Sequence, residues 1–262
     1  MEEKLPEEIS LLTSGKSYTV SDIGMSGGRV YMYEDMVLKT EECYPWVERS
    51  IKMMEWLADK APVPKVLSHC VNEGRSFLLM SRVSGQMACS ESCLNDPQRL
   101  IGLLAGAVKT LWSIDISDRP SVRDLETELK EARSNVENGR VNIQNTQPET
   151  FGEGGFESPA TLLRWLEENR PDPDPVFTHG DLCLPNIFFD GDRLSGFIDL
   201  GDAGVGDRWR DLALLHRSLR HNTDGTFGKV VEGVDPDRVF EELDIRPDWE
   251  KLRYYTLLDE LF

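Results

Sequence analysis

The stretch Phe177-Thr178-His179-Gly180-Asp181-Leu182-Cys183-Leu184-Pro185-Asn186-Ile187-Phe188-Phe189-Asp190-Gly191-Asp192-Arg193-Leu194-Ser195-Gly196-Phe197-Ile198-Asp199-Leu200-Gly201 sets two apolar runs around a polar turn. Asp190-Gly191-Asp192 is a strong tight-turn signal, because glycine reaches positive φ without steric cost and aspartate favours turns. Folding Asn186–Phe189 back on Leu194–Ile198 about Gly191 predicts an antiparallel hairpin. The fold-back puts Asp199 opposite positions 182–184, so Asp181, Asn186 and Asp199 are expected at the hairpin's open end.

Two carboxylates and a carboxamide gathered in one place suit a definite task. Asp199 and Asn186 offer hard oxygen ligands of the kind that hold Mg²⁺ on nucleotide phosphates. Asp181 is suited to accept the proton of an attacking hydroxyl and orient it for in-line displacement. The spacing, an Asp followed five residues later by Asn and then by Asp-x-Gly, is that of the catalytic and metal loops of kinases. Turns attract Asp and Asn for conformational reasons alone, but order, spacing and hairpin context together point to phosphoryl transfer.

Working outward, residues 1–13 read as a short amphipathic helix. Val30–Tyr33, a Glu34-Asp35 turn and Met36–Lys39 read as a second hairpin. Pro45 opens a helix with apolar residues at Val47, Ile51, Met54 and Leu57, which Pro62 and Pro64 end. Val63–Leu67 and Ser76–Met80 resume strand character. Beyond Ser81–Gln86 the pattern turns helical, from Asp96-Pro97 through Ile114, over 121–137 and over Leu162–Glu168. Residues 138–158 read as a loop, and Asp211–Leu219, Asp235–Leu243 and Pro247–Phe262 as helices. The expected organisation is α+β and two-lobed: a small β-rich N-terminal lobe (1–80), a hinge (81–86) and a larger, mainly helical C-terminal lobe (87–262). Lys39 ends an apolar strand of the small lobe, where a lysine has reason to be only if its ammonium meets an anion. A kinase-like fold uses such a lysine to hold the α- and β-phosphates.

The bulk composition narrows the partners. With 47 acidic and 29 basic residues the net charge is −18, which repels nucleic acids and anionic membranes and attracts cations. No apolar run is long enough to span a bilayer, and the acidic start Met1-Glu2-Glu3-Lys4 lacks the features of a signal peptide, so a cytoplasmic location is expected. The five cysteines have no disulfide-framework or zinc-site spacing and read as reduced thiols. Gly24-Met25-Ser26-Gly27-Gly28 fits the nucleophile-elbow pattern of hydrolases. That elbow must lead into a helix, however, and here a strand follows. Gly15-Lys16-Ser17 mimics the end of a P-loop, but Ser10 stands where its first glycine belongs.

These motifs resemble the aminoglycoside 3′-phosphotransferases, antibiotic-resistance kinases of the protein-kinase-like fold, over essentially the whole chain. Its most specific pieces are Phe177-x-His179-Gly180-Asp181, Asn186-Ile187-Phe188, Ser195–Gly201 and Asp207-Arg208-Trp209-x-Asp211. Pro62-Val63-Pro64 and the C-terminal Leu257–Phe262 join the pattern. The resemblance implies ATP or GTP as donor, Mg²⁺ as cofactor, Asp181 as base and a kanamycin-like polycation as acceptor. It further implies that Ser26 and Gly27 cover the phosphates and that Ser81 and Val83 hold the adenine through their backbones. Acids at Glu149, Glu153, Glu157, Asp259 and Glu260, with the Phe262 carboxylate, would meet substrate amines. The protein is expected to be a monomer or weak dimer. A related kinase for another amine or sugar, and a nucleotide-binding pseudokinase, are the competing readings.

Four positions depart from the pattern of the family or of some members: Ser50, Asp202, Val37, where some have an aromatic ring, and His221, where some have an acid. The glutamate that pairs with the lysine belongs six residues before the helix tryptophan, Trp56, and that position is Ser50. Glu48, the nearest acid, lies two residues away, about 200° around a helix. Asp202 follows the Asp-x-Gly where the family often has arginine.

Overall fold

Residues 5–21, 28–118, 121–228 and 230–262 are described by a computed structural model. They fall into two compact units, one built from the chain up to Gly85 together with Phe188–Asp202, the other from Gln86–Ile187 and Ala203–Phe262. Met25, Ser26 and Gly27, expected to cover phosphates, lie outside the described residues.

The first stretch of chain forms α1 (Glu7–Thr13), β1 (Thr19–Ser21), β2 (Arg29–Met32), β3 (Met36–Glu42), α2 (Pro45–Leu57), β4 (Val66–Asn72) and β5 (Arg75–Ser81). The strands make one antiparallel sheet in the order β1-β2-β3-β5-β4. The Glu34-Asp35 turn aligns Met32 with Val37 and Val30 with Lys39. Glu73 and Gly74, at φ 51° and 78°, turn β4 into β5. Because side chains alternate along a strand, Met36 and Leu38 enter a core with Tyr31, Tyr33, Phe77, Leu79 and Ile9 of α1, while Val37, Lys39 and Glu41 share the other face.

The second unit begins with β6 (Gln86–Met87), α3 (Glu91–Leu94), α4 (Pro97–Trp112), α5 (Leu125–Glu137), α6 (Pro148–Phe151), α7 (Pro159–Glu168) and β7 (Pro175–Thr178). Asp96, Asp124 and Ser158 cap α4, α5 and α7 by accepting hydrogen bonds from backbone N–H groups. The expected loop over 138–158 contains α6 and a short 3₁₀ turn at Ile143–Asn145.

Strands β8 (Ile187–Asp190) and β9 (Arg193–Phe197) then form the predicted hairpin about Gly191. Gly85, at φ 85°, lies so close to this hairpin that an added Cβ would stand 2.2 Å from the Phe189 carbonyl oxygen. The chain returns to the second unit through β10 (Gly204–Asp207), α8 (Arg208–His221), α9 (Arg238–Leu243) and α10 (Trp249–Asp259). Strand β10 pairs antiparallel with β7, matching Val205 with Phe177. Among the described residues no helix is long and apolar enough to cross a membrane.

Helix α10 is anchored through two buried phenols. Tyr254 donates to the Leu166 carbonyl at 2.8 Å, and Tyr255 to the Asp207 carboxylate at 3.0 Å. Burial pushes both phenols well above their ordinary value, and for Tyr255 the Asp207 charge adds to it. A pKa raised in the fold gives a contribution that is complete below the unfolded value, about 10, and lost as pH rises beyond it. Stability measured by denaturant titration is therefore expected to fall steeply above about pH 10. In Tyr255→Phe it should start about 1 kcal/mol lower at neutral pH and fall less steeply.

Candidate active site

The loop joining β7 to β8 is built around one buried carboxylate. Asp211, in the first turn of α8 and fully buried, accepts from the His179 N–H at 2.7 Å and the Gly180 N–H at 2.9 Å. Burial pushes the Asp211 carboxyl above its ordinary range, and the two amide bonds oppose that rise. Gly180 is at φ 86°, a conformation that lets the chain turn sharply just before Asp181. His179, itself buried, accepts from the Asp181 N–H through Nδ1 at 3.3 Å.

Beyond Asp181 the chain bends through Cys183 into a 3₁₀ turn, Leu184–Asn186, tied to α8 by the Leu184 N–H donating to Ser218 Oγ at 3.0 Å. Asn186 is buried. Its Nδ2 donates to the Asp181 carbonyl at 2.9 Å and to the Asp181 carboxylate at 3.0 Å. The amide thereby orients the carboxylate and turns its own oxygen the other way.

Asp199 follows β9 in the first unit. It is solvent-exposed and held at φ 61°, a left-handed conformation that is uncommon for a side-chain-bearing residue. The loop it begins is latched to α2: Arg49 Nε donates to the Gly201 carbonyl at 3.1 Å, and the guanidinium pairs with Asp202 at 3.3 Å. The departure at Asp202 thus has a partner, supplied by the helix. Lys39 lies on β3 of the same unit and pairs with Glu41 at 3.2 Å. Glu48 instead pairs with Lys52 at 3.9 Å on the exposed face of α2.

The remaining expected site residues fall as follows. The Ser81 N–H donates to the Lys65 carbonyl at 2.8 Å, committing that donor, while Val83 packs over Gly196. Asp259 and Glu260 meet Arg217 of α8, and Glu260 also accepts from the Gln147 N–H and side-chain amide at 2.9 and 3.1 Å. Burial works against the Arg217 charge, but Asp259, Glu260 and Asp181 outweigh it and hold its pKa above the usual value. Burial raises the Glu260 carboxyl. Glu149, Glu153 and Glu157 are exposed, as is Phe262 in large part. Within the second unit a cavity of about 620 Å³ is lined by Glu149, Phe156, Trp165 and Arg217, with Arg220 and Arg253. Sequence reasoning passed over Glu41 as the lysine's partner and over Asp211 as the anchor of the loop, although Asp211 stands in a quoted motif.

Residues 29–255 match the model of the phosphotransferase enzyme family. The chain is 39% identical over 91% of its length to an aminoglycoside 3′-phosphotransferase of Enterococcus faecalis, with 91% of that protein covered. It is 34% identical to one of Niallia circulans, over 98% and 97% of the two chains. Among solved structures, a type VIII aminoglycoside-3′-phosphotransferase superposes with a TM-score of 0.78 at 29% identity, covering 97% of each chain. A Streptomyces rimosus aminoglycoside phosphotransferase solved with ADP and streptomycin gives 0.73 at 28% identity, also over 97% of each chain.

Fold and site together define an α+β phosphotransferase of the protein-kinase-like class. Within it, the chain belongs to the aminoglycoside 3′-phosphotransferases of the phosphotransferase enzyme family.

Asp211→Asn leaves one acceptor oxygen for two N–H donors and points an NH₂ group at the other. The loop should then misplace Asp181, and kcat is expected to fall about 100-fold while Mg·ATP affinity changes little. Steady-state kinetics beside a nucleotide titration would check this.

Proposed function

We propose that this protein transfers the γ-phosphoryl group of ATP to the 3′-hydroxyl of kanamycin-like aminoglycosides, with Asp181 as base. The observation that carries the reading is the Asn186 amide on the Asp181 carboxylate, within a loop whose backbone is fixed by Asp211. A carboxylate held in this way is poised to receive the hydroxyl proton without first paying for its own alignment. Its ionised form is the one that accepts from both the amide and the substrate hydroxyl.

Asp199 and the Asn186 oxygen are the groups assigned to Mg²⁺. The donor set fits, since magnesium is commonly bound through one or two protein oxygens, with phosphate oxygens and waters filling its shell. When bound, the metal would neutralise the charge that develops on the phosphates. Lys39 is assigned to the α- and β-phosphates, Ser26 and Gly27 to the loop covering them, and Ser81 and Val83 to the adenine. Because the Ser81 N–H is committed to Lys65, that residue would meet the base through its carbonyl.

For the acceptor, the −18 charge draws a polyamine towards the protein, and the exposed Glu149, Glu153 and Glu157 are suited to meet its ammonium groups. Asp259, Glu260 and the Phe262 carboxylate would take further amines. Arg217 already claims part of the charge of the first two. Such chemistry runs where ATP is available, in the cytoplasm.

ADP release that depends on kanamycin, and raised kanamycin tolerance of a susceptible bacterium, are expected. Neither effect would be seen if the acceptor were another amine or sugar. Asp181→Ala should lower kcat by about 10³-fold with Mg·ATP binding retained. Asp199→Ala should instead lose Mg·ATP binding, and unchanged affinity in a calorimetric titration would take the metal away from Asp199.

A further inference from the structure

The family's lysine partner is missing from α2, yet Lys39 is not left without a counter-ion. We infer that Glu41, a residue of the lysine's own strand, is the positioning residue for Lys39 and replaces the helix glutamate. The inference rests on the assignment of Lys39 to the nucleotide phosphates.

The two residues are neighbours on one face of β3, because side chains two apart on a strand point the same way. Their charged groups are 3.2 Å apart. Glu41 is 3% exposed, far too buried for an ordinary solvated surface acid. A carboxylate in that position is tolerated only when both its oxygens are satisfied. They are: one takes the Lys39 ammonium, and the other accepts from the Trp46 indole N–H at 3.2 Å. Trp46 lies in the first turn of α2, so the helix still fixes the acid, by holding it with an indole where a helix glutamate would have reached the lysine itself.

The surroundings tie this pair to the phosphate-handling elements of the unit. On the strand side, Gly28 ends the glycine-rich run, and a Cβ there would stand 3.1 Å from Glu41 Cβ and 2.8 Å from the Thr40 carbonyl oxygen. On the other side Gly201 packs against Trp46, with an added Cβ at 3.5 Å from it. Glu41 and Trp46 thus lie between the end of the glycine-rich loop and the loop that Asp199 begins. Lys39 keeps further N–H donors, since an ammonium has three and the pair with Glu41 uses one.

The test compares Mg·ATP affinity, by calorimetric titration, in Glu41→Gln made in the native chain and in Lys39→Ala. Glutamine keeps the shape and an acceptor for Trp46 but removes the charge that faces Lys39. Glu41→Gln is expected to weaken Mg·ATP about tenfold in the native chain and to have almost no further effect in Lys39→Ala, as expected for loss of a charge-assisted pair. Equal weakening in both backgrounds would mean a general packing defect and overturn the inference, as would native affinity in Glu41→Gln. Trp46→Phe, which leaves Glu41 charged but unheld, should weaken binding in the same direction; native affinity there removes the tryptophan from the device. Should Lys39→Ala itself bind Mg·ATP normally, it is the assignment of Lys39 that fails, an outcome separable from failure at Glu41 alone.

Discussion

A single carboxylate, that of Asp211, accounts for the shape of the loop that carries Asp181 and Asn186. Two consecutive amides, those of His179 and Gly180, point into the interior, where they would otherwise be costly. Asp211 answers both from the first turn of α8, and the left-handed Gly180 lets the backbone leave that contact towards Asp181. The burial that raises the Asp211 carboxyl is the cost of placing a charge there, and the His179 ring, the two amides and Arg210 offset part of it. Everything further along the loop follows from this anchor: His179 Nδ1 on the Asp181 N–H, Asn186 on the Asp181 carboxylate, Ser218 under Leu184. The β7–β10 pair and α8 form a frame, and the loop is drawn onto it.

The first unit solves a different problem, holding the Lys39 ammonium and the loop that Asp199 begins in register. Here α2 is the organiser. Its first turn sends Trp46 to Glu41, and three positions on, Arg49 reaches the Gly201 carbonyl and Asp202. The helix therefore carries a cation to the loop and an indole to the strand, while the acids sit on the strand and the loop. Asp202, a departure from the family pattern, is matched by an arginine on the helix.

Much of this was legible from residue order. Asp190-Gly191-Asp192 flanked by apolar runs could hardly be anything but a hairpin, and Pro45 and Asp96-Pro97 mark helix starts that form where they stand. Asp181, Asn186 and Asp199 stood out because their order and spacing suit phosphoryl transfer, and Lys39 because it ends an apolar strand. What escaped notice depends on contacts distant in sequence. Gly204-Val205-Gly206-Asp207 has too many glycines to read as a strand; it becomes one by pairing with Pro175–Thr178. The turns at Ile143–Asn145 and Pro148–Phe151 are too short to carry a period. Asp211 and Glu41 look like solvated acids in the sequence, since nothing in a linear pattern says that a carboxylate is buried.

In its proposed metal role Asp199 carries two demands at one position. Its φ of 61° is readily adopted by glycine and, with less strain than by other residues, by asparagine and aspartate. A divalent cation is best served there by a charged oxygen, since Asn186, the other proposed ligand, offers only a neutral one. Glycine and asparagine meet the first demand and not the second; glutamate meets the second and not the first. Aspartate is the one amino acid of the standard twenty in which the geometry of the chain and the charge of the ligand coincide. In that proposed role, any replacement gives up either the ease of the turn or the charge.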